Sequence, residues 1–201
     1  MPQTITKSYE VFTIFELSDS AKEKVCNEYR ANYDFYHEEE DLLEMLRENY
    51  PHIEDMEIRY SGFWSQGDGA SFTGTLDSAW LLKEFASEKE QELIRYVSCS
   101  FERFSSHYVH HNTVTTEVTI EEVADHLNEN EHINFTLTET VLDGVEGELY
   151  EAVECYRRSV CHDIYTKLRE RYQECTSDET IIEGLDDPCF LFHEDGTIFQ
   201  G

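Results

Sequence analysis

Two stretches of this sequence carry residue types that could do chemistry: "HYVHH", with His107, His110 and His111, and the glycine-rich run "YSGFWSQGDGASFTG" from Tyr60 to Gly74. Neither assembles a catalytic pattern. No Gly-Lys-Ser/Thr follows Asp68, as a phosphate loop requires. No serine sits in a G-x-S-x-G elbow, and carboxylates do not recur at alternate positions, as a calcium loop requires. Glycines at 67 and 69 instead permit positive φ on both sides of Asp68. A sharp turn is expected there, with Asp68 bonding local amides and Gln66 left as a two-ended donor and acceptor. Trp64 and Phe72 are expected to anchor this hairpin in the core. Trp64, Gln66, Gly67, Asp68 and Gly69 make the candidate recognition loop. On a strand, His107 and His111 share a face and His110 takes the other, which breaks a three-ligand metal site. The β-branched continuation "NTVTTEVTI" favours that strand. His110 is expected under the sheet with a hydrogen-bond partner, and the other two in solvent. No metal, cofactor or catalytic residue is expected.

Carboxylates are too abundant to mark an acid–base pair. The 201 residues carry 44 Asp and Glu against 15 Lys and Arg, a net charge of −29. Such a charge repels nucleic acid and anionic membranes and attracts basic proteins, or serves solubility. Glu38, Glu39, Glu40, Asp41 and Glu44 crowd one expected helix, while Glu146, Glu148, Glu151, Glu154 and Asp163 follow the polar side of another. Helix neighbours three or four apart lie about 5–6 Å from one another, and a duplex carries one phosphate charge per about 1.7 Å of axis. Acidic rows can therefore approximate a phosphate track; the competing reading is a solvated face. The candidate partner-binding residues are Glu38, Glu39, Glu40, Asp41 and Glu44, with Glu151 and Glu154 on the second helix.

The length suits one domain over 1–201, and 39% hydrophobic residues can build a core. No apolar run reaches the roughly 18 residues of a membrane span, and "MPQTITKSYEVF" lacks the order of a signal peptide. The cysteines, without C-x-x-C spacing, read as reduced core residues, and the cytoplasm is the expected compartment. A first strand is expected over Tyr9–Leu17, then a helix through 21–33 capped from Ser18–Ser20, and a second helix over 37–49 with Leu42, Leu43, Met45 and Leu46 inward, ending before Pro51. Strands over 56–64 and 70–76 flank the loop. A helix follows across 78–104, interrupted near Ser87. "HYVHHNTVTTEVTI" reads as a strand with Tyr108, Val114, Val118 and Ile120 on one face. A short polar helix near 121–129 and a strand over 133–137 come next. A long helix from about Thr138 to Glu174 carries one apolar stripe, Ser177 caps a short helix, and the tail forms a last strand and turn at Asp195-Gly196. Helices intermixed with antiparallel strands make the fold α+β.

The run from Ser61 to Phe72 resembles the signature of a family of phage and prophage acidic proteins, some of whose members are labelled antitoxin-like. Tyr108 and His110, then Thr176–Glu179, then Phe192, Glu194, Asp195 and Gly196 are similar to that family's later motifs; "YQEC" before Thr176 departs from it. The resemblance implies phage origin and fold, and no activity. Joined to the charge, it leads to an expected inhibitor, similar in kind to a DNA mimic, of a basic nucleic-acid-handling host defence protein, of restriction or CRISPR type. An antitoxin-like or homodimeric interaction module is the alternative. A small hydrolase or nucleotide enzyme using Asp68 and the histidines is the third.

Overall fold

The computed structural model describes residues 7–105, 108–123 and 135–200. Among them six α-helices accompany one four-stranded antiparallel sheet, so the protein is α+β, with a long helix near its C-terminus. The chain forms two compact units: Glu39–Leu168, and Met1–Glu38 together with Arg169–Gly201.

In the larger unit the strands β1 (Ile53–Tyr60), β2 (Ala70–Leu76), β3 (Ile94–Arg103) and β4 (Val114–Val123) pair in sequence order. Between Glu54 and Glu57 of β1 the register skips, Asp55 takes φ +52°, and Gly74 stands opposite with φ +147°. A Cβ on Gly74 would lie 2.7 Å from the Glu54 carbonyl oxygen, so the bulge needs glycine as its neighbour. The long helix α5 (Phe135–Cys175) covers the inner face of the sheet. Val145, Leu149, Val153, Val160, Ile164 and Leu168 are all buried, the three-and-four spacing expected of its stripe.

One charged group inside this interface fixes the helix. The Arg157 guanidinium donates to both oxygens of Glu154 (3.0 and 2.9 Å) and to the His111 carbonyl, and Thr116 Oγ1 donates to Glu154 Oε1 at 2.5 Å. Farther along α5, Glu146 Oε2 accepts from the Ile120 amide at 3.1 Å. Helix α5 is thus bonded to β4 at Thr116 and Ile120, residues that share a face with Val118.

Several expected elements differ. Residues 94–103 are strand, not the end of a helix. Asp77 caps α3 (Ser78–Phe85) and a Ser87–Glu90 capping box opens the short α4 (Glu88–Leu93), so the interruption falls at Ser87 as expected. Beyond Leu93, Val97, Cys99 and Phe101 alternate into the core, and pairing with β4 overrides the helical reading. A register shift at Tyr96 hides this alternation in the sequence. Tyr108 lies outside β4 and is exposed, because a 3-10 turn at His111–Thr113 intervenes. Glu121–Val123 continue β4, and the rest of the expected polar helix lies outside the described residues, as do Ile133 and Asn134; Phe135–Leu137 belong to α5. In α2 (Tyr36–Glu48), Leu46 is fully buried while Met45 is 46% exposed.

In the smaller unit, Ser18 caps α1 (Asp19–Asn32) and Ser177 caps α6 (Asp178–Gly184), both as expected. Val25, Cys26, Ile181, Leu185 and Phe192 pack around Ile14. The expected first strand shrinks to a bridge between Phe12 and Phe192, the expected last strand to that bridge and one from Phe192 to Ile198. Glu16 Oε2 accepts from the Thr13 amide at 2.8 Å and turns Ile14–Glu16 into a 3-10 helix. Such local side-chain bonding competes with a ladder. Cys26, Cys99, Cys161 and Cys175 are buried free thiols as expected, whereas Cys155 and Cys189 are exposed.

The Glu154 cluster has a pH signature. Hydrogen bonds from Arg157, with Thr116 assisting and burial opposing, lower the Glu154 pKa from 4.5 to about 2. A carboxylate depressed on folding contributes its full stability above 4.5 and loses it as pH falls toward 2. Glu154→Gln should therefore destabilise the protein by about 3 kcal/mol at pH 7, since it leaves Arg157 buried and unpaired. Urea melts across the pH range should show the gap between variant and wild type narrowing below pH 4.5 and smallest near 2.

Candidate functional site

The β1–β2 and β3–β4 connections emerge at one end of the sheet and touch. In the first, Gly67 takes φ +107°, and the Asp68 carboxylate turns inward to accept from the Trp64 and Ser65 amides (2.7 and 2.6 Å). Ser61 closes the loop: its amide donates to the Gly69 carbonyl (3.0 Å), and its Oγ accepts from the Gly69 amide (3.0 Å) and donates to the Val109 carbonyl (3.3 Å). Gly69 itself is not in the left-handed region. It is glycine because His110 lies on it: a Cβ there would sit 2.7 Å from His110 Cδ2.

Asp68 thus has the structural role expected of it, bonding loop amides. Its neighbour Gln66 is exposed at the loop tip. Phe72 is a core anchor, but Trp64 is not: its side chain is 74% exposed, because the turn formed around Asp68 sends residue 64 outward. Phe63 takes the anchoring part, its ring lying between Tyr60 (5.4 Å) and Tyr165 (5.9 Å). Across the gap to the second loop, Phe104 and Tyr108 are 66% and 73% exposed. The same sheet end therefore presents three aromatic side chains to solvent.

His110 Nδ1 accepts from the Asn112 amide at 3.3 Å, a bond that shapes the 3-10 turn rather than one beneath the sheet. His111, expected in solvent, is half-buried against the His110 ring at 3.9 Å. Burial first, then His110 and Arg157, push its pKa down. His107 lies outside the described residues.

The acidic rows separate into engaged and unengaged members. Glu38 Oε2 accepts from Arg171 at 2.6 Å and Glu39 Oε2 from the Tyr60 hydroxyl at 2.8 Å. Glu154 lies in the interior under Arg157 and is not a surface residue, a correction to its reading as a partner-facing group. Asp163 is likewise held, by Lys167 (2.7 Å) and Tyr50 (2.6 Å); burial opposes its ionisation, but these two partners outweigh it and its pKa falls. Asp41, Glu44, Glu148 and Glu151 are exposed, with no ion pair among the described residues. Glu40 is exposed as well.

A second polar cluster has no counterpart in the sequence reading. His52 stacks on Trp80 with centroids 3.7 Å apart and hydrogen-bonds the Tyr156 hydroxyl, and the Tyr50 ring packs edge-on to it. Burial lowers the His52 pKa, against the pull of Asp77 and Glu84, and burial raises that of Tyr156. A neutral imidazole bonded to a neutral phenol serves as a packing joint between the start of β1 and α5. Nothing periodic marks these residues in the sequence: a histidine after a proline and a tyrosine on an apolar stripe read as ordinary.

Among the described residues no helix is long and apolar enough to cross a membrane. A family model described as Domain of unknown function (DUF8835) matches residues 29–178. No curated protein and no solved structure matches the chain.

The two loop glycines are needed for different reasons, and valine separates them. Gly67→Val should cost about 1–3 kcal/mol through backbone strain alone, as nothing lies within 4 Å of the new Cβ. Gly69→Val should cost a similar amount by displacing His110, and Gly69→Val combined with His110→Ala should recover part of that loss, while adding His110→Ala to Gly67→Val should recover nothing. Thermal melts of the four variants measure this.

Proposed function

The chain belongs to the family of that domain of unknown function, and we propose that it is an acidic binding protein, phage-encoded and cytoplasmic in a bacterial host, that inhibits a basic nucleic-acid-handling defence protein by occupying its cleft. The observation that carries this reading is how the chain deploys its cations. Lys24, Arg30, Arg157, Lys167 and Arg171 are each bonded to the chain's own carboxylates. Asp41 and Glu44 on α2, and Glu148 and Glu151 on α5, have no such neutralising partner among the described residues. Each pair is spaced three apart, so its charges stand side by side on one helix face. A rigid row of unneutralised carboxylates offers Lys and Arg of a partner what a phosphate row offers them, and complementary charge of this kind accelerates encounter and selects basic clefts.

A second reading has its own observation. Trp64, Phe104 and Tyr108, exposed at one end of the sheet, are residue types that anchor protein interfaces. They favour an antitoxin-like or homodimeric module that docks through the loops.

Capture from host lysate at low salt, followed by elution with rising salt, supplies the partner. Asp41→Lys with Glu44→Lys should slow association more than it speeds dissociation. Binding should weaken as the Debye length falls from about 10 Å at 0.1 M salt to about 3 Å at 1 M. The captured protein should also lose nucleic acid when this protein is added. Simultaneous binding of both ligands with unchanged affinity would overturn the inhibitor reading. Trp64→Ala should abolish capture or dimerisation only if the loops are the interface.

A further inference from the structure

The smaller unit contains a cleft of about 470 Å³, within the size range of small-molecule pockets. Its lining is of two kinds. Val25 and Leu185, both buried, and Ile198 supply an apolar wall. Tyr29 and Tyr33, one helical turn apart at the end of α1, stack with ring centroids 5.6 Å apart at 27°. Phe35 and Tyr172 hold Tyr33 from behind, at 6.4 and 6.1 Å. Glu28 and Asp34 bring carboxylates to the same lining, and no Lys or Arg is among its described residues. The Glu28 carboxylate makes no hydrogen bond or ion pair with the described residues.

The far wall is fixed in place. Gly196, at φ +83°, packs so closely on α1 that a Cβ would lie 2.7 Å from the Ala21 carbonyl oxygen. Lys24 Nζ donates to the Asp195 carboxylate and carbonyl and to Thr197 Oγ1 (3.1, 3.2 and 3.1 Å), so the nearby ammonium is engaged by the tail turn and does not neutralise Glu28. The cleft is therefore formed before anything enters it.

We propose that this cleft is a binding site for an amphipathic organic cation, an ammonium carried on an aromatic or aliphatic body. The body rests on Val25, Leu185 and Ile198, and the ammonium lies at the tyrosine faces beside Glu28 and Asp34. Aromatic faces attract a cation, the more so when it is partly desolvated. An anion is repelled by both carboxylates, and a neutral ligand of the same shape gains only the apolar contact. This site does not depend on the partner-binding reading, and neither result bears on the other.

The test is a titration with phenethylamine, followed by the NMR signals of Tyr29, Tyr33, Leu185 and Ile198, at about 0.15 M salt, where the Debye length is about 8 Å and diffuse attraction to the acidic surface is screened. The neutral 2-phenylethanol is the control. The amine should produce saturable shifts confined to these residues, and the alcohol should bind at least about tenfold more weakly, equivalent to about 1.4 kcal/mol. Glu28→Gln, at an exposed position, should weaken the amine by a similar factor and leave the alcohol unchanged. Equal binding of amine and alcohol, an unaltered amine affinity in Glu28→Gln, or shifts that fail to saturate or spread over the acidic helices would each overturn the proposal.

Discussion

Seating α5 on the inner face of the sheet is the constraint on which the larger unit depends. A four-stranded sheet must bury one face, and α5 supplies the stripe from Val145 to Leu168 that covers it. An apolar stripe alone permits sliding, because one leucine contact is much like the next. The Glu154–Arg157 pair removes that freedom. Its guanidinium reaches the His111 carbonyl and its carboxylate reaches Thr116, so the helix has one register against β4. Burying two charges is costly unless every donor and acceptor is met. Here the bidentate geometry meets them.

That arrangement also shapes the protein's charge. A chain with so few cations could have scattered them over its surface to relieve repulsion. Arg157 is instead drawn inside, and Arg30, Lys24 and Arg171 tie the segments of the smaller unit to one another. Lys83, Lys89, Arg95 and Arg158 are exposed, but carboxylates far outnumber them, and the repulsion is tolerated because buried apolar area and internal ion pairs hold each unit together. The proposed basic partner and the proposed organic cation share this origin. Both are counter-charges for an acidic surface.

The glycine-rich loop illustrates how a suggestive motif resolves once it is folded. Its acid is turned toward its own amides, its glycines serve a left-handed residue and a histidine contact, and its tryptophan is delivered to solvent. Ser61 and Asp68 are directed at structure and Phe63 at the neighbouring rings, while Gln66 and Trp64 face outward.

Much of this was legible in the sequence where the signal is local. The three-and-four spacing from Val145 to Leu168 determined the long helix, Ser18 and Ser177 determined helix starts through their caps, and Gly67 beside Asp68 determined a turn with positive φ. The net charge was settled by composition alone. Tertiary structure decided whatever depends on a partner distant in the chain. Residues 94–103 are strand because β4 pairs with them, and Tyr9–Leu17 is not, because only Phe192 offers a bridge. Glu151 and Glu154, three residues apart, share one face of a helical wheel and read alike. Only the fold places one beneath Arg157 and the other in water, since burial is a property of what packs above a residue and not of the residue itself.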